Sequence, residues 1–225
     1  DVNGMMWFGT DNGICRYDGE KFETFTTSDG LAGNNVWAIY RQPDGPIWFG
    51  SWDGGICRYD GDQFETFTHL DEGPVTVIKA DAAGNLWFGG GFWGTGNEGK
   101  GLWRYDGQKF DQFTTEDNLA SNWISALHCT DDGTVWIGHT YGGISYKEAG
   151  SQGKFTTFTH QADSLTGTST FAIEETVDGV IWFGSFRWVG PKGGLIRYDG
   201  HKFEMLTTED GLPSKAIDCI YLDSG

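Results

Sequence analysis

Short apolar runs broken by Gly and Asp recur along this chain with a period. Trp-Phe-Gly stands at Trp7, Trp48, Trp87 and Trp182, with Trp136-Ile137-Gly138 as a variant, at intervals of 41, 39, 49 and 46 residues. After each comes a loop and then Arg-Tyr-Asp-Gly, at Arg16, Arg58, Arg104 and Arg197, with Ser145-Tyr146-Lys147-Glu148 as the degenerate copy. An aromatic and threonine stretch follows, at 22–25, 64–67, 110–113, 155–158 and 203–206. A polar loop of the Thr-Glu-Asp-Gly-Leu kind then leads into an apolar stretch such as 36–40 or 124–128. Runs of this composition bounded by turn residues predict strands, four to each period.

The turns have a mechanism. Asp44-Gly45, Ala83-Gly84, Asp132-Gly133 and Asp178-Gly179 separate first from second strands; Asp18-Gly19, Asp60-Gly61, Asp106-Gly107 and Asp199-Gly200 separate third from fourth. Tight hairpins need positive φ at their centre, which Gly and Asp tolerate best, so these aspartates read as turn formers. The second strand, as in Ile47-Trp48-Phe49, is apolar on both faces, which fits a sheet sandwiched between two others. A ring of such sheets covers every face, and four strands per repeat is the propeller signature.

The expected fold is an all-β, five-bladed β-propeller with four antiparallel strands per blade, one domain over 1–225. The blades are expected at 5–26 plus 216–222, 35–68, 74–114, 123–159 and 170–207. The sequence opens in a second strand, 5–8, and ends in a first strand, 216–222. Their pairing is predicted to complete the N-terminal blade and close the ring, removing both exposed edges. Beginning in mid-repeat without Met suggests a fragment or a processed product.

Composition narrows the function. The 36 Gly against 5 Pro, with 16 Phe, 11 Trp and 8 Tyr, suit many short strands and tight turns. Fifteen Lys and Arg against 32 Asp and Glu give a formal charge of −17, which repels phosphate backbones and excludes nucleic acid as a partner. No apolar run is long enough to cross a bilayer, so no membrane insertion of this chain is expected, and Asp1 starts no leader. Cys15, Cys57, Cys129 and Cys219 show no CxxC spacing and are expected to be reduced, half-buried packing residues.

With their order of Asp-Gly, apolar, Trp, apolar-Gly, turn, Gly-apolar, Tyr-Asp and a Phe-Thr strand, the units resemble two-component-regulator propeller repeats over essentially the whole chain. Blade four departs from the pattern at 147–154. The resemblance implies the extracytoplasmic, periplasmic or secreted, sensing part of a bacterial hybrid histidine kinase, commonly in rings of about seven blades.

Loops joining second to third strands share a propeller face with the interblade loops. They differ in length: four residues after Gly9, five after Gly50 and Gly138, ten after Gly184 and twelve after Gly89. They carry Trp52, Phe92, Trp93, Tyr141, Phe186 and Trp188, with Asp53, His139 and Arg187 beside them. Rings around a central opening suit stacking on sugar faces or gripping a cation or peptide; the bland alternative is that they plug the channel mouth. The repeated tryptophans and Arg-Tyr-Asp-Gly sets recur because they build blades; salt links between blades are the alternative for Arg16, Arg58, Arg104 and Arg197, and a structural one too.

The primary expectation is a non-catalytic, monomeric module that recognises a small polar molecule, glycan or peptide on this face without any cofactor. Two alternatives stand beside it, a lyase resembling streptogramin lyases and a protein-interaction scaffold. His69, His139 and His160 fall on the same face, but no HxH or HExxH spacing is present, no metal site is expected, and Asp131-Asp132 lacks the spacing of a calcium loop.

Overall fold

The computed structural model describes residues 4–43, 45–67, 73–91, 99–159, 169–186 and 193–223. They form five antiparallel sheets in propeller order. The first holds β1 (Met6–Thr10), β2 (Gly13–Tyr17) and β3 (Phe22–Phe25). The second holds β4 (Val36–Arg41), β5 (Ile47–Ser51), β6 (Gly55–Tyr59) and β7 (Phe64–Phe67), and the third β8 (Val77–Ala80), β9 (Leu86–Gly89), β10 (Leu102–Tyr105) and β11 (Phe110–Phe113). The fourth holds β12 (Ile124–Cys129), β13 (Val135–His139), β14 (Gly143–Lys147) and β15 (Thr156–Phe158). The fifth holds β16 (Ser169–Glu175), β17 (Ile181–Phe186), β18 (Gly194–Tyr198) and β19 (Phe203–Leu206). The first strands β4, β8, β12 and β16 neighbour one another in succession, which puts them at the centre.

Each letter of the repeat has a place. The Trp of Trp-Phe-Gly reaches forward: Trp7 meets Phe49 and Tyr59 at 5.6 and 5.4 Å, and Trp48 meets Phe88 and Tyr105 at 5.5 and 5.6 Å. From the second blade on, the residue after this Trp reaches back into the previous blade, as Phe49 does to Trp7, so those second strands are buried on both faces. The Gly lets the next first strand pass, since a Cβ on Gly50 would stand 2.6 Å from Val75 O. The Arg guanidinium lies between two rings of its own blade, as Arg16 does at 5.4 Å from Trp7 and 5.3 Å from Phe25.

These arginines form their salt links within blades, against the interblade alternative: Arg16–Glu23, Arg58–Glu65, Arg104–Asp111 and Arg197–Glu204. The reason is register, because Arg16 and Glu23 face each other across β2 and β3. Between blades, Arg16 donates instead to the Tyr59 hydroxyl. The Tyr hydroxyl of each set latches the turn that follows it, Tyr59 donating to Gly61 O at 2.8 Å and Tyr105 to Gly107 O at 2.9 Å. The Asp accepts two main-chain N–H bonds there, which hold the Asp18, Asp60, Asp106 and Asp199 carboxyls below the usual range. Blade four keeps the stack with a different occupant, Tyr146 lying between Trp136 and Phe158.

The polar Thr-Glu-Asp-Gly-Leu loops are short 3-10 turns with reciprocal capping boxes, Thr26 with Asp29, Thr114 with Asp117 and Thr207 with Asp210. The Leu that follows is buried at Leu31 and Leu119.

The expected ladder between 216–222 and β1 is not formed among the described residues. The first sheet has three strands, and 216–222 has no strand assignment. Ile217 instead donates its N–H to Ser185 O at 3.3 Å and lies over Gly184, the seat Val75 takes over Gly50 and Thr170 over Gly138. That seat is the one a first strand takes against the preceding blade, so 216–222 occupies a first strand's place after the fifth blade, with no ladder to β1 among the described residues. The cysteines are free as expected, but Cys57 is fully buried and Cys219 is exposed.

Candidate functional site

The loops leaving the second strands and those entering the first strands are stitched together at one end of the blades. Trp52 donates its main-chain N–H to Asn35 O at 2.7 Å, and Thr140 does so to Trp123 O at 3.0 Å. The first strands bulge there, between Val36 and Ala38, Ile124 and Ala126, and Thr170 and Ala172. A bulge inserts one residue that pairs with nothing across the ladder and re-aims its side chain. In blade two that residue is Trp37, 61 % exposed, and in blade five it is Phe171.

Trp37 meets Trp52 at 5.3 Å with ring planes 38° apart. Its indole N–H is fixed on Asn35 Oδ1 at 2.8 Å, and Asn35 N–H donates to Asp53 Oδ1 at 3.1 Å. Asp53 therefore orders the loop that carries the pair. In blade four Tyr141, at φ 56°, meets Trp123 edge-on at 6.4 Å, and in blade five Phe186 meets Phe171 at 6.5 Å. Trp52, Asp53, Tyr141 and Phe186 thus share this end with Trp37, Trp123 and Phe171, which the sequence reading missed. The signal was an alignment of first strands, which sets Trp37 against Ser125 at a position that packing does not use.

Phe92, Trp93, Arg187 and Trp188 lie outside the described residues, as do His69 and His160. His139 is corrected: it is 0 % exposed and cannot touch a ligand on the face. It ends β13 where Ser51 and Ser185 stand in other blades, and its Nε2 meets Ser145 Oγ at 2.8 Å. Burial pushes its pKa down to about 3, so the imidazole is neutral at physiological pH. His128 Nε2 approaches Glu175 Oε2 at 3.6 Å, at the far end of β12 from the aromatic pairs. Among the described residues no three His, Cys, Asp or Glu side chains gather as metal ligands. Asp132 is a turn former, accepting from Thr130 Oγ1 at 2.5 Å and Thr134 N–H at 2.9 Å.

The sequence profile described as two component regulator propeller matches residues 30–53 and 118–141. The chain carries two component regulator propeller repeats. The two matched regulator propeller segments each run from the end of a 3-10 turn, through first and second strands, to the loop that bears Trp52 or Tyr141.

Among solved structures, the chain is similar to the extracellular domain of a putative hybrid two component system from B. thetaiotaomicron. The identity is 21 %, over 100 % of this chain and 30 % of that one, with a TM-score of 0.77. It is also similar to PorZ, a bacterial surface component of the type-IX secretion system of Porphyromonas gingivalis, at 17 % identity over 96 % of this chain and 32 % of that one, TM-score 0.62. Regucalcin, a calcium-binding protein from Agrobacterium tumefaciens, matches at 14 % over 97 % and 74 %, TM-score 0.60. At these identities the likeness is one of fold, and the chain spans about a third of the length of the first two. No curated protein matches the sequence.

Proposed function

We propose that this propeller is the non-catalytic recognition part of an extracytoplasmic sensor, and that it takes a small polar ligand, a glycan or a peptide on the face bearing Trp37 and Trp52. The observation that supports this reading is the exposed Trp37–Trp52 pair, held by Asn35 and Asp53 in a geometry that no blade interface requires. Large rigid rings with anchored N–H groups present a flat face at little conformational cost, which suits a sugar ring or a peptide side chain. The regulator propeller repeats and the extracellular sensor domain among the similar structures support the sensing role and the compartment.

Titrating the protein with neutral oligosaccharides and short peptides while following tryptophan emission tests the reading. The expected result is a saturable change that Trp37→Ala and Trp52→Ala each abolish, with the melting temperature moving by no more than about 2 °C, as for surface substitutions. A change that survives both substitutions would remove the aromatic pair from the site, and a large loss of stability would make the rings a plug.

A further inference from the structure

Blade four departs from the template at its outer turn, and the departure gathers positive charge. The turn between β14 and β15 runs over 148–155, twice the span of 106–109 or 199–202 in its neighbours. Lys147 stands where Tyr59, Tyr105 and Tyr198 stand, opposite the first residue of the second strand. With β11 of blade three, this turn walls a groove of about 630 Å³ on the rim. Arg104, Lys109, Lys147 and Lys154 line it against two carboxylates, Asp111 and Asp117, in a chain that is otherwise strongly acidic.

Both carboxylates are already committed. Asp111 meets Arg104 Nη2 at 2.5 Å and Lys109 Nζ at 2.9 Å, and Asp117 accepts the Thr114 N–H at 2.9 Å. Asp111 is a methylene shorter than the Glu65 that Arg58 grips through both Nε and Nη2, and Arg104 Nε is left buried with no partner. Lys147 and Lys154 donate to main-chain carbonyls, of Gly153 and Glu116 respectively. Each ammonium carries three N–H donors, so each retains capacity for a further acceptor. Burial and the nearby Arg104 charge push the Lys147 pKa down, as expected where positive charge exceeds negative.

We propose that this rim groove binds a small dianion, a sulfate or phosphate group, between Lys147, Lys154 and Arg104. Charge-assisted N–H···O bonds from ammonium and guanidinium groups fit the tetrahedral oxygens, and bridging two blades gives the anion a structural consequence. The groove lies on the rim and the aromatic pairs on the loop face, so the two proposals stand or fall separately.

Calorimetric titration at low ionic strength with sodium sulfate, sodium phosphate and the 6-sulfate and 6-phosphate of glucose tests it. Binding by the inorganic ions assigns a free-ion site, and tighter binding by the sugar esters assigns a site for the group presented on a sugar. Lys147→Met and Lys154→Met are each expected to weaken sulfate binding by about tenfold, the loss of one charge-assisted bond, while Trp37→Ala binds sulfate as the wild type does. Lys154 is exposed, so its substitution is expected to leave the fold intact, which an unchanged melting temperature checks. Equal heats from sodium chloride at matched ionic strength, or unchanged affinity in Lys154→Met, would overturn the assignment.

Discussion

The interfaces between successive blades and the outer face of the first blade are written in the same letters and end in opposite states. Phe49, Phe88 and Phe183, the middle residues of three Trp-Phe-Gly sets, are 0 % exposed, whereas Phe8 in the same place is 43 % exposed. Met6 and Phe22 share the open surface with Phe8, while the matching Ile47, Leu86, Val135 and Ile181 are buried. The hydrogen-bonded ladders are equivalent in both regions. A repeat therefore specifies its own strands locally, but the cover over its backward face comes from another blade. Strand formation and burial are separable properties of this architecture.

The comparison can be broken most sharply by truncating the two phenylalanines. Phe49→Ala should lose about 3–5 kcal/mol of unfolding free energy, and Phe8→Ala less than about 1 kcal/mol. Urea denaturation measures both, and equal losses would mean that the outer face is covered in solution.

A titrating probe sharpens the contrast next. His139 is held neutral with its pKa at about 3, below the usual 6.5, so its contribution to stability is complete above pH 6.5 and is lost as the pH falls from there toward 3. His139→Ser, the residue that blades two and five use, should flatten the stability profile across that window. The equivalent position in blade one is the exposed Thr10, and the imidazole of a Thr10→His variant should titrate near 6.5 by NMR.

Gly138→Ala places a Cβ 2.7 Å from Thr170 O and should cost about 1–3 kcal/mol, since the opposing backbone belongs to a paired strand. Gly184→Ala meets Ile217 O at 2.7 Å, but that backbone lies in a segment without a ladder, so the loss of melting temperature should be smaller. The smallest effect belongs to Arg58→Met. It removes an exposed pair with Glu65 but keeps an apolar stem between Trp48 and Phe67, for a loss of roughly 0.2–1 kcal/mol in urea unfolding.

Much of the fold was legible because its determinants are local: Asp-Gly turns, short apolar runs, and a Trp-Phe-Gly set that recurs. The sheets and their strand order follow from these. The missing ladder between 216–222 and β1 was not legible, because the repeat marks 216–222 as a first strand but holds no information on whether β1 comes within pairing reach. The site was legible in part. Trp52, Asp53, Tyr141 and Phe186 stood out as residues that the repeat does not need, whereas Trp37 hid inside a strand whose bulge only coordinates reveal. His139 was misread because its loop position gave no hint that the imidazole turns inward to Ser145.

The phenol latch, Tyr59 to Gly61 and its counterparts, has a corollary for how this lineage of repeats can vary. Where the hydroxyl is present the outer hairpin is clamped at one length. Blade four has exchanged it for an ammonium, and its hairpin is longer while the β14 and β15 register stays whole from Tyr146 and Thr156 outward. That rim position is a natural port: foreign sequence grafted between Gly150 and Ser151 would lengthen a hairpin that has already escaped its clamp and leave every neighbouring ladder in step.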